Sequence, residues 1–230
     1  MTKVFAAAAI SIVLATAAQT ATAQSGWVSL FDGKSISHWR GFKQTTVAGG
    51  WEVVEGTITW TGKGRPTSRP VYSDLVSLEQ YGSFEFEFEW KVPPGGNSGI
   101  MFHVSEDFEA TYHTGPEFQI LDDAKHADGK NPLTSAGANY ALHAPSKAAA
   151  NPVGEWNQGR LLVKGAHVEH WLNGVKVVEY ELWTPAWTAL VAGSKFQKWP
   201  EYGKKTSGHL VLQEHGARVQ YRNLRVRRIQ

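Results

Sequence analysis

Strict alternation of apolar and polar residues runs through one stretch of the chain, "SFEFEFEWKV" at residues 83–92. Phe84, Phe86, Phe88 and Trp90 fall on one side of an extended chain, and the intervening glutamates fall on the other, because successive strand side chains point to opposite faces. This period of two predicts a β-strand with one buried face.

Shorter segments with the same period follow, separated by turn residues. Asn173 and Gly174 lie between two of them and predict a two-residue hairpin, since both residues tolerate the positive φ of a type I′ turn. Strands with turns about every ten residues predict an all-β fold, an antiparallel two-sheet jelly-roll sandwich. The other predicted strands are residues 98–106, 117–121, 160–165, 167–172, 175–182, 209–215 and 219–227.

One long segment, residues 122–159, keeps no sustained period. It is far longer than an ordinary connection, and its aspartates, histidines and tyrosine are a poor composition for a disordered chain. Long loops in compact domains commonly carry function. We therefore expect this loop to fold over one face of the sandwich.

The N-terminus has the pattern of a secretory signal. Lys3 precedes an apolar run to about Ala18 that is too short to span a bilayer, and small residues follow at 21–23. We expect a signal peptide over residues 1–23, one domain over residues 24–230, and a periplasmic or secreted location. The sequence has no cysteine, so we expect no disulfide and no lipid or membrane anchor after cleavage.

Charge and aromatic content narrow the class of partner. The 23 basic residues against 21 acidic ones are nearly balanced, which argues against a nucleic-acid partner. The ten tryptophans are suited to a β-sandwich core, but tryptophan faces also stack on the apolar faces of sugar rings. The composition is therefore compatible with a protein that binds an oligosaccharide or glycoside, but it does not prove such binding.

The segment "GPEFQILDD" at residues 115–123 places polar side chains within a predicted strand. Glu117 and Gln119 share one face, and a bulge would return Asp122 to that face. The spacing resembles the E-x-D-x-x-E motif of laminarinase-type glycosidases, with glutamine at the central position. The alternative is structural, with Glu117 paired to a neighbouring strand and Asp122 ending its own.

Histidines form a second set of candidates. A single histidine in a strand is more often structural than a ligand, but several near the Glu117 pattern favour a polar cleft. No H-x-x-x-H spacing occurs, and "KHAD" is a weak candidate for a metal site, so the identity of any metal stays open. The histidines are His103, His126, His143, His170 and His215.

Motifs along the whole chain recur in the order of one known family. They span residues 30–39, 51–60, 96–107, 115–128, 152–182, 194–196, 208–216 and 221–227. Together they resemble the 3-keto-disaccharide hydrolase family, once called domain-of-unknown-function family 1080. The resemblance implies a concanavalin-like jelly roll, with the long loop over its concave face, that acts on glycosides whose C3 hydroxyl has been oxidised to a ketone.

The activity that the resemblance implies is that of a 3-keto-glycoside 1,2-lyase and a 3-keto-2-hydroxy-glucal hydratase. The C3 ketone acidifies the proton on C2, so a general base can remove it and the enolate then expels the group at C1. Water adds to the enone and completes a net hydrolysis. The site must supply a base, an acid for the leaving oxygen, and a donor or cation at the C3 oxygen.

Candidate site residues follow from the matched motifs. Glu117 is expected as a base or an acid, and Asp122 and His126 as the second proton-transfer group or as ligands of a divalent metal ion that polarises the ketone. Lys195 or Arg222 would face the C3 oxyanion. The expected substrate-binding residues are Asn97, Gln119, Tyr140, His170, Trp171, Lys195, Gln213, His215 and Arg222.

Two histidines depart from the family pattern. "MFHV" has His103 where arginine is expected, and "YALHAP" has His143 where an apolar residue is usual. These departures bear on substrate detail more than on fold.

Other roles and functions stay open at the level of sequence. Structural pairing is the alternative for His170 and Arg222, and a core position is the alternative for Tyr140 and Trp171. A non-catalytic carbohydrate-binding module would have the same fold. A conventional retaining glycosidase would need two carboxyl groups about 5–5.5 Å apart.

Overall fold

The computed structural model describes Met1 and residues 26–64 and 73–230. The predicted signal peptide, apart from Met1, lies outside the described residues. The strands are β1 (Trp27–Ser29), β2 (Trp39–Gly41), β3 (Trp51–Val54), β4 (Thr57–Trp60), β5 (Leu75–Tyr81), β6 (Phe84–Lys91), β7 (Asn97–Val104), β8 (Glu117–Leu121), β9 (Asn157–Lys164), β10 (His167–Leu172), β11 (Val175–Glu181), β12 (Gly208–Leu212) and β13 (Val219–Arg228).

Helical structure within the described ranges is short. The α-helix α1 covers Pro185–Ala192, and 3-10 turns lie at Thr111–His113, Ala127–Lys130, Pro132–Thr134 and Lys195–Lys198. None of the helices in this part of the chain is long and apolar enough to cross a membrane.

Two antiparallel sheets form the sandwich. The eight-stranded sheet has the order β11-β10-β9-β6-β13-β4-β3, with β1 also paired to β13, and the five-stranded sheet has the order β2-β5-β12-β7-β8. The two-sheet antiparallel sandwich predicted from alternation is therefore confirmed. The predicted hairpin is confirmed as well, because Asn173 and Gly174 join β10 to β11 with φ values of 49° and 79°.

Strand β6 shows why the alternating pattern yields a sandwich. Phe84, Phe86, Phe88 and Trp90 are each 1% exposed or less and form part of the core. On the opposite face, glutamates meet arginines from the neighbouring strands, which balances their charge. The pairs are Glu85 with Arg160 and Arg227, Glu87 with Arg225, and Glu89 with Arg222.

Strand β8 divides apolar from polar side chains. Phe118 and Ile120 are fully buried in the core between the sheets. Glu117 and Gln119 alternate with them and therefore project from the other face of the five-stranded sheet. The site described below lies on that face.

The long loop after β8 runs back along the free edge of that strand. The backbone N–H of Tyr140 donates to Glu117 O at 3.0 Å, and that of Gly137 donates to Gln119 O at 2.8 Å. The loop thereby satisfies edge groups that would otherwise be unpaired. It also brings Tyr140 beside the polar face of β8.

Helix α1 belongs to a segment for which the alternation predicted no element. The Thr184 side chain accepts from Trp187 N and Pro185 occupies the first turn, which is a favourable helix start. Trp187 is buried and fixes the helix against the core. The chain then enters the turn Lys195–Lys198, which delivers side chains to the site.

Half of the ten tryptophans serve the core. Trp39, Trp51, Trp60, Trp90 and Trp187 are each 5% exposed or less. Tryptophan count is therefore a weak indicator of sugar binding in this chain.

Candidate active site

A cavity of about 830 Å³ opens on the polar face of the five-stranded sheet. Its volume falls in the range of about 300–1,000 Å³ that is usual for small-molecule sites. Strands β7 and β8 form its floor, and the loops around residues 109–112, 140 and 195–199 form its walls. The predicted site residues that line it are Asn97, Glu117, Gln119, Tyr140, Lys195, Gln213 and His215.

Glu117 lies across Gly99 of the adjacent strand β7. A Cβ atom at Gly99 would overlap the Glu117 carboxyl group, so this packing requires glycine. The residue is only 7% exposed, and loss of hydration raises the pKa of Glu117 to about 8, with the Lys195 charge opposing the shift and Asp74 and Asp128 adding to it. Glu117 is therefore mostly protonated at neutral pH and can donate a proton.

Asp74, just before β5, is a second carboxyl group in the cavity, and sequence reasoning missed it. Its Oδ2 accepts from Thr111 Oγ1 at 2.6 Å, and its Oδ1 accepts from Glu214 N at 2.9 Å. Burial raises the pKa of Asp74 to about 6, against the effect of these two hydrogen bonds. Because the partners lie 37 and 140 residues away in sequence, no local pattern could have indicated the site.

Of the four carboxyl groups in the lining, which also include Glu109 and Glu214, Asp74 and Glu117 are suited to different roles. At neutral pH Asp74 is mostly ionised, whereas Glu117 is mostly protonated. Environments that separate the pKa values of two groups in one site provide a base and an acid together. The cavity therefore contains both a proton acceptor, Asp74, and a proton donor, Glu117.

Lys195 supplies positive charge at the cavity wall. Its Nζ lies 4.0 Å from the centroid of the Tyr140 ring, within cation–π range. Partial loss of hydration lowers the pKa of Lys195, and the charges of Glu117 and Asp128 oppose that shift. The Tyr140 hydroxyl donates to Asp128 Oδ2 at 3.1 Å, which holds the ring in place, and burial raises the pKa of Tyr140 so that it keeps its proton.

Two amide oxygens in the lining are available to a ligand. Asn97 Oδ1 and Gln213 Oε1 are buried and have no hydrogen-bond partner among the described residues. An unpaired buried acceptor costs free energy, so each oxygen needs a partner from outside the described residues, such as water or a ligand. Gln119 differs, because its Nε2 donates to Thr134 O and its Oε1 accepts from Ile120 N, both at 3.2 Å.

The structure does not place Asp122 and His126 in the cavity lining, contrary to expectation. Asp122 accepts from Gly95 N at 2.7 Å and from Ala124 N at 3.1 Å, so its carboxylate closes the end of β8. His126 Nδ1 accepts from Asp128 N at 3.2 Å and caps a turn. Its Nε2 lies 3.5 Å from the amide nitrogen of Asn97, a lining residue.

Three further candidates lie in the eight-stranded sheet, which corrects the expectation that they line the cleft. His170 is fully buried, with Nδ1 3.0 Å from Gly137 O, and burial lowers the pKa of His170 to about 4. Trp171 donates to Glu169 Oε2 at 2.7 Å. Arg222 Nε donates to Glu89 at 2.7 Å. The physical reason is that β10 and β13 belong to the sheet opposite the cavity.

His103 and His143, the two histidines that differ from the family pattern, also lie outside the cavity lining. His103 has a φ of 53°, and its Nε2 lies 2.8 Å from Gly82 O in the core. His143 is half-buried and stacks on Tyr180, with ring centroids 4.8 Å apart. Both therefore contribute to packing.

One group of metal-ligating side chains occurs in the described part of the chain. His167, Glu169 and Glu179 have ligand atoms within 4.8 Å of one another on β10 and β11. Lys176 Nζ is 3.2 Å from Glu169 and 2.5 Å from Glu179. Ion pairs thus account for the cluster, which lies in the sheet opposite the cavity.

Fold and site together define an antiparallel β-sandwich with a polar cavity on one sheet, lined by Asp74, Glu117 and Lys195. A family model described as "3-keto-alpha-glucoside-1,2-lyase-like domain" matches residues 26–227, and the chain belongs to this family. The resemblance inferred from the motifs is confirmed.

Relatives and solved structures agree with this assignment. A 3-keto-disaccharide hydrolase from Bacteroides thetaiotaomicron is 34% identical over 226 residues, covering 88% of this chain and 78% of the relative. A candidate glycosyl hydrolase from Parabacteroides distasonis superposes with a TM-score of 0.80 at 33% identity, covering 89% of this chain and 94% of that one. A family GH16 endo-beta-1,3(4)-glucanase, with a TM-score of 0.51 at 13% identity over 88% of this chain and 91% of its own, shares the fold alone.

Proposed function

We propose that the protein cleaves 3-keto-glycosides, including 3-keto-disaccharides, by net hydrolysis. Family membership supports this activity. The observation that carries the mechanism is that Asp74, Glu117 and Lys195 line one cavity. A C3 ketone makes the C2 proton acidic, so a carboxylate of ordinary strength is sufficient as the base.

Proton abstraction is assigned to Asp74. Its carboxylate takes the proton from C2, and the electron pair of the C–H bond forms an enolate with C3. Negative charge then develops on the C3 oxygen, and the Lys195 ammonium group provides the opposite charge. Asn97 and Gln213 offer their free oxygens to sugar hydroxyl protons.

Elimination and hydration use Glu117. As the enolate returns to a ketone, the C1–O bond breaks and the leaving oxygen takes the Glu117 proton. Water then adds at C1 and returns a proton to Glu117, while Asp74, whose carboxyl proton exchanges with solvent after elimination, delivers a proton to C2. The two halves consume one water molecule and release the sugar and the leaving alcohol.

The contacts of Asp122 and His126 bear on two other roles predicted from the sequence, a metal site and a glycosidase. A divalent cation held by Asp122 and His126 would share the Asp122 oxygens with two backbone N–H groups and would bind His126 through Nε2, because Nδ1 already accepts from Asp128 N. The E-x-Q-x-x-D segment contributes one carboxyl group to the cavity lining, which disfavours a glycosidase built on Glu117 and Asp122. We also propose that the protein acts in the periplasm or is secreted, as the N-terminal pattern predicts.

The test is hydrolysis in deuterated water. The purified protein is incubated with a 3-keto-disaccharide and with the parent disaccharide, and products are analysed by mass spectrometry and NMR. We expect cleavage of the keto-sugar with deuterium at C2, and loss of at least about 100-fold in rate in Asp74→Asn and Glu117→Gln. The exposed Asp107→Asn variant is the matched control.

The outcomes separate the alternatives. Equal cleavage of the parent sugar would indicate a conventional glycosidase. Binding of keto-sugars without turnover by the wild type would indicate a carbohydrate-binding module. A parallel reaction with a chelator measures any requirement for a divalent cation, because removal of a required ion would abolish exchange.

A further inference from the structure

An aromatic pair at the cavity opening has no part in the chemistry described above. Tyr112 and Trp199 both line the cavity, and their ring centroids are 5.1 Å apart with an interplanar angle of 70°. They come from the turns around residues 111–113 and 195–198, whereas the polar floor comes from strands. Tyr112 is 42% exposed, so this wall lies at the solvent side of the site.

Packing holds the aromatic wall in one arrangement. The His113 ring lies nearly parallel to Trp199, with centroids 5.2 Å apart and an angle of 22°. The centroids of the Phe196 and Trp199 rings are 5.9 Å apart, and the backbone N–H of Trp199 donates to Phe196 O at 2.9 Å. A surface that is already ordered loses little conformational freedom when a ligand binds.

The cavity is larger than one sugar ring requires. Its volume of about 830 Å³ lies towards the upper end of the range for drug-sized ligands, about 300–1,000 Å³. The carboxyl groups, Lys195 and the free amide oxygens serve the reacting ring, which must be bound through its polar groups. Space beside an apolar aromatic wall remains for a second ring.

We propose that Tyr112 and Trp199 form the subsite for the leaving sugar ring of a 3-keto-disaccharide. This inference rests on the proposed function. A pyranose ring presents axial C–H groups on its faces, and these pack against aromatic rings while the hydroxyl groups at its edge stay in water. The leaving sugar is then bound at the opening, from which it departs first.

The experiment compares two substrates that share the reacting ring. Steady-state kinetics are measured with a 3-keto-disaccharide and with methyl 3-keto-glucoside, which has no second ring. In Tyr112→Ala and in Trp199→Ala we expect the ratio of kcat/KM for the disaccharide to that for the methyl glycoside to fall about fivefold to tenfold. Trp156→Ala, which removes an aromatic ring packed against Lys91 and Arg222, is the matched control with an unchanged ratio.

Each outcome decides the inference. An unchanged ratio, which includes an equal fall in kcat/KM for both substrates, overturns the subsite. Turnover of the disaccharide by the wild type upholds the proposed function in either case. If the wild type converts neither substrate, the proposed function fails and the subsite fails with it. If Trp199→Ala does not fold, Tyr112→Ala decides, because truncation of a side chain that is 42% exposed leaves the core intact.

Discussion

At the scale of single residues, the chemistry of Glu117 depends on what surrounds its carboxyl group. Gly99 leaves the space that the carboxyl group occupies. Removal from water makes it a proton donor at neutral pH. The position of Glu117 in the sequence indicated a functional carboxylate, but its protonation state depends on residues distant in the chain.

We expect Gly99→Ala to displace Glu117 and to lower kcat at least about tenfold, because an added Cβ would occupy the space of the carboxyl group. Kinetics with a 3-keto-disaccharide measure the loss, and circular dichroism verifies that the sandwich is intact. Gly193→Ala is the control, since its nearest contact, Ala189 O at 3.5 Å, is ordinary. Unchanged kcat in Gly99→Ala would show that the reaction does not depend on this position of Glu117.

At the scale of secondary structure, short connections determine which strands meet. The β10–β11 hairpin illustrates this with Asn173, which has a positive φ and three side-chain hydrogen bonds. Its Nδ2 donates to Ala149 O and Asn157 Oδ1, and its Oδ1 accepts from Gln158 N, each at 2.8 Å. The turn residue thus joins the hairpin to β9 and to the loop before it.

Two variants of Asn173 separate its contributions to stability. We expect Asn173→Gly to lower the free energy of unfolding by about 3 kcal/mol, because three hydrogen bonds are lost while glycine accepts the positive φ. Asn173→Ala should lose about 1 kcal/mol more, since alanine is strained there. Urea unfolding measures both values, and equal stability of the two variants would contradict the role of the backbone conformation.

At the scale of the whole molecule, buried ionisable groups connect stability to pH. Glu117 has an ordinary pKa of 4.5 and a pKa of about 8 in the folded protein. Between these values the unfolded chain releases the proton and the folded chain retains it. The free energy of unfolding therefore falls as pH rises through this window, by at most about 1.4 kcal/mol per pH unit from this group.

Glu117→Gln removes this contribution. We expect the free energy of unfolding of the variant, minus that of the wild type, to increase from pH 5 to pH 8. Urea unfolding at each pH measures both values. The exposed Glu155→Gln variant should show no such trend. A constant difference for Glu117→Gln would mean that Glu117 is already ionised in the folded protein, and its role as the acid would then be wrong.

The sequence by itself determined strands β6–β13, the hairpin and the face of β8 that carries Glu117, whereas the alternation did not predict β1–β5. Side-chain period and turn preference are local properties, so alternation in β6 and the Asn173–Gly174 pair could be interpreted without a partner strand. Motif order also determined the family. The segment that contains α1 escaped prediction because its buried Trp187 follows no sustained period.

Only the tertiary structure decided which polar residues share the cavity. Asp74 is held in the cavity by hydrogen bonds to residues 37 and 140 positions away in the sequence. His170 and Arg222, by contrast, occur in motifs that match the family but belong to the opposite sheet. Strand pairing assigns each strand to one of two sheets, and alternation alone does not reveal which. The pKa values of Asp74 and Glu117 follow from burial by loops. Which of the two acts as base and which as acid is therefore decided by the folded structure and not by the local sequence.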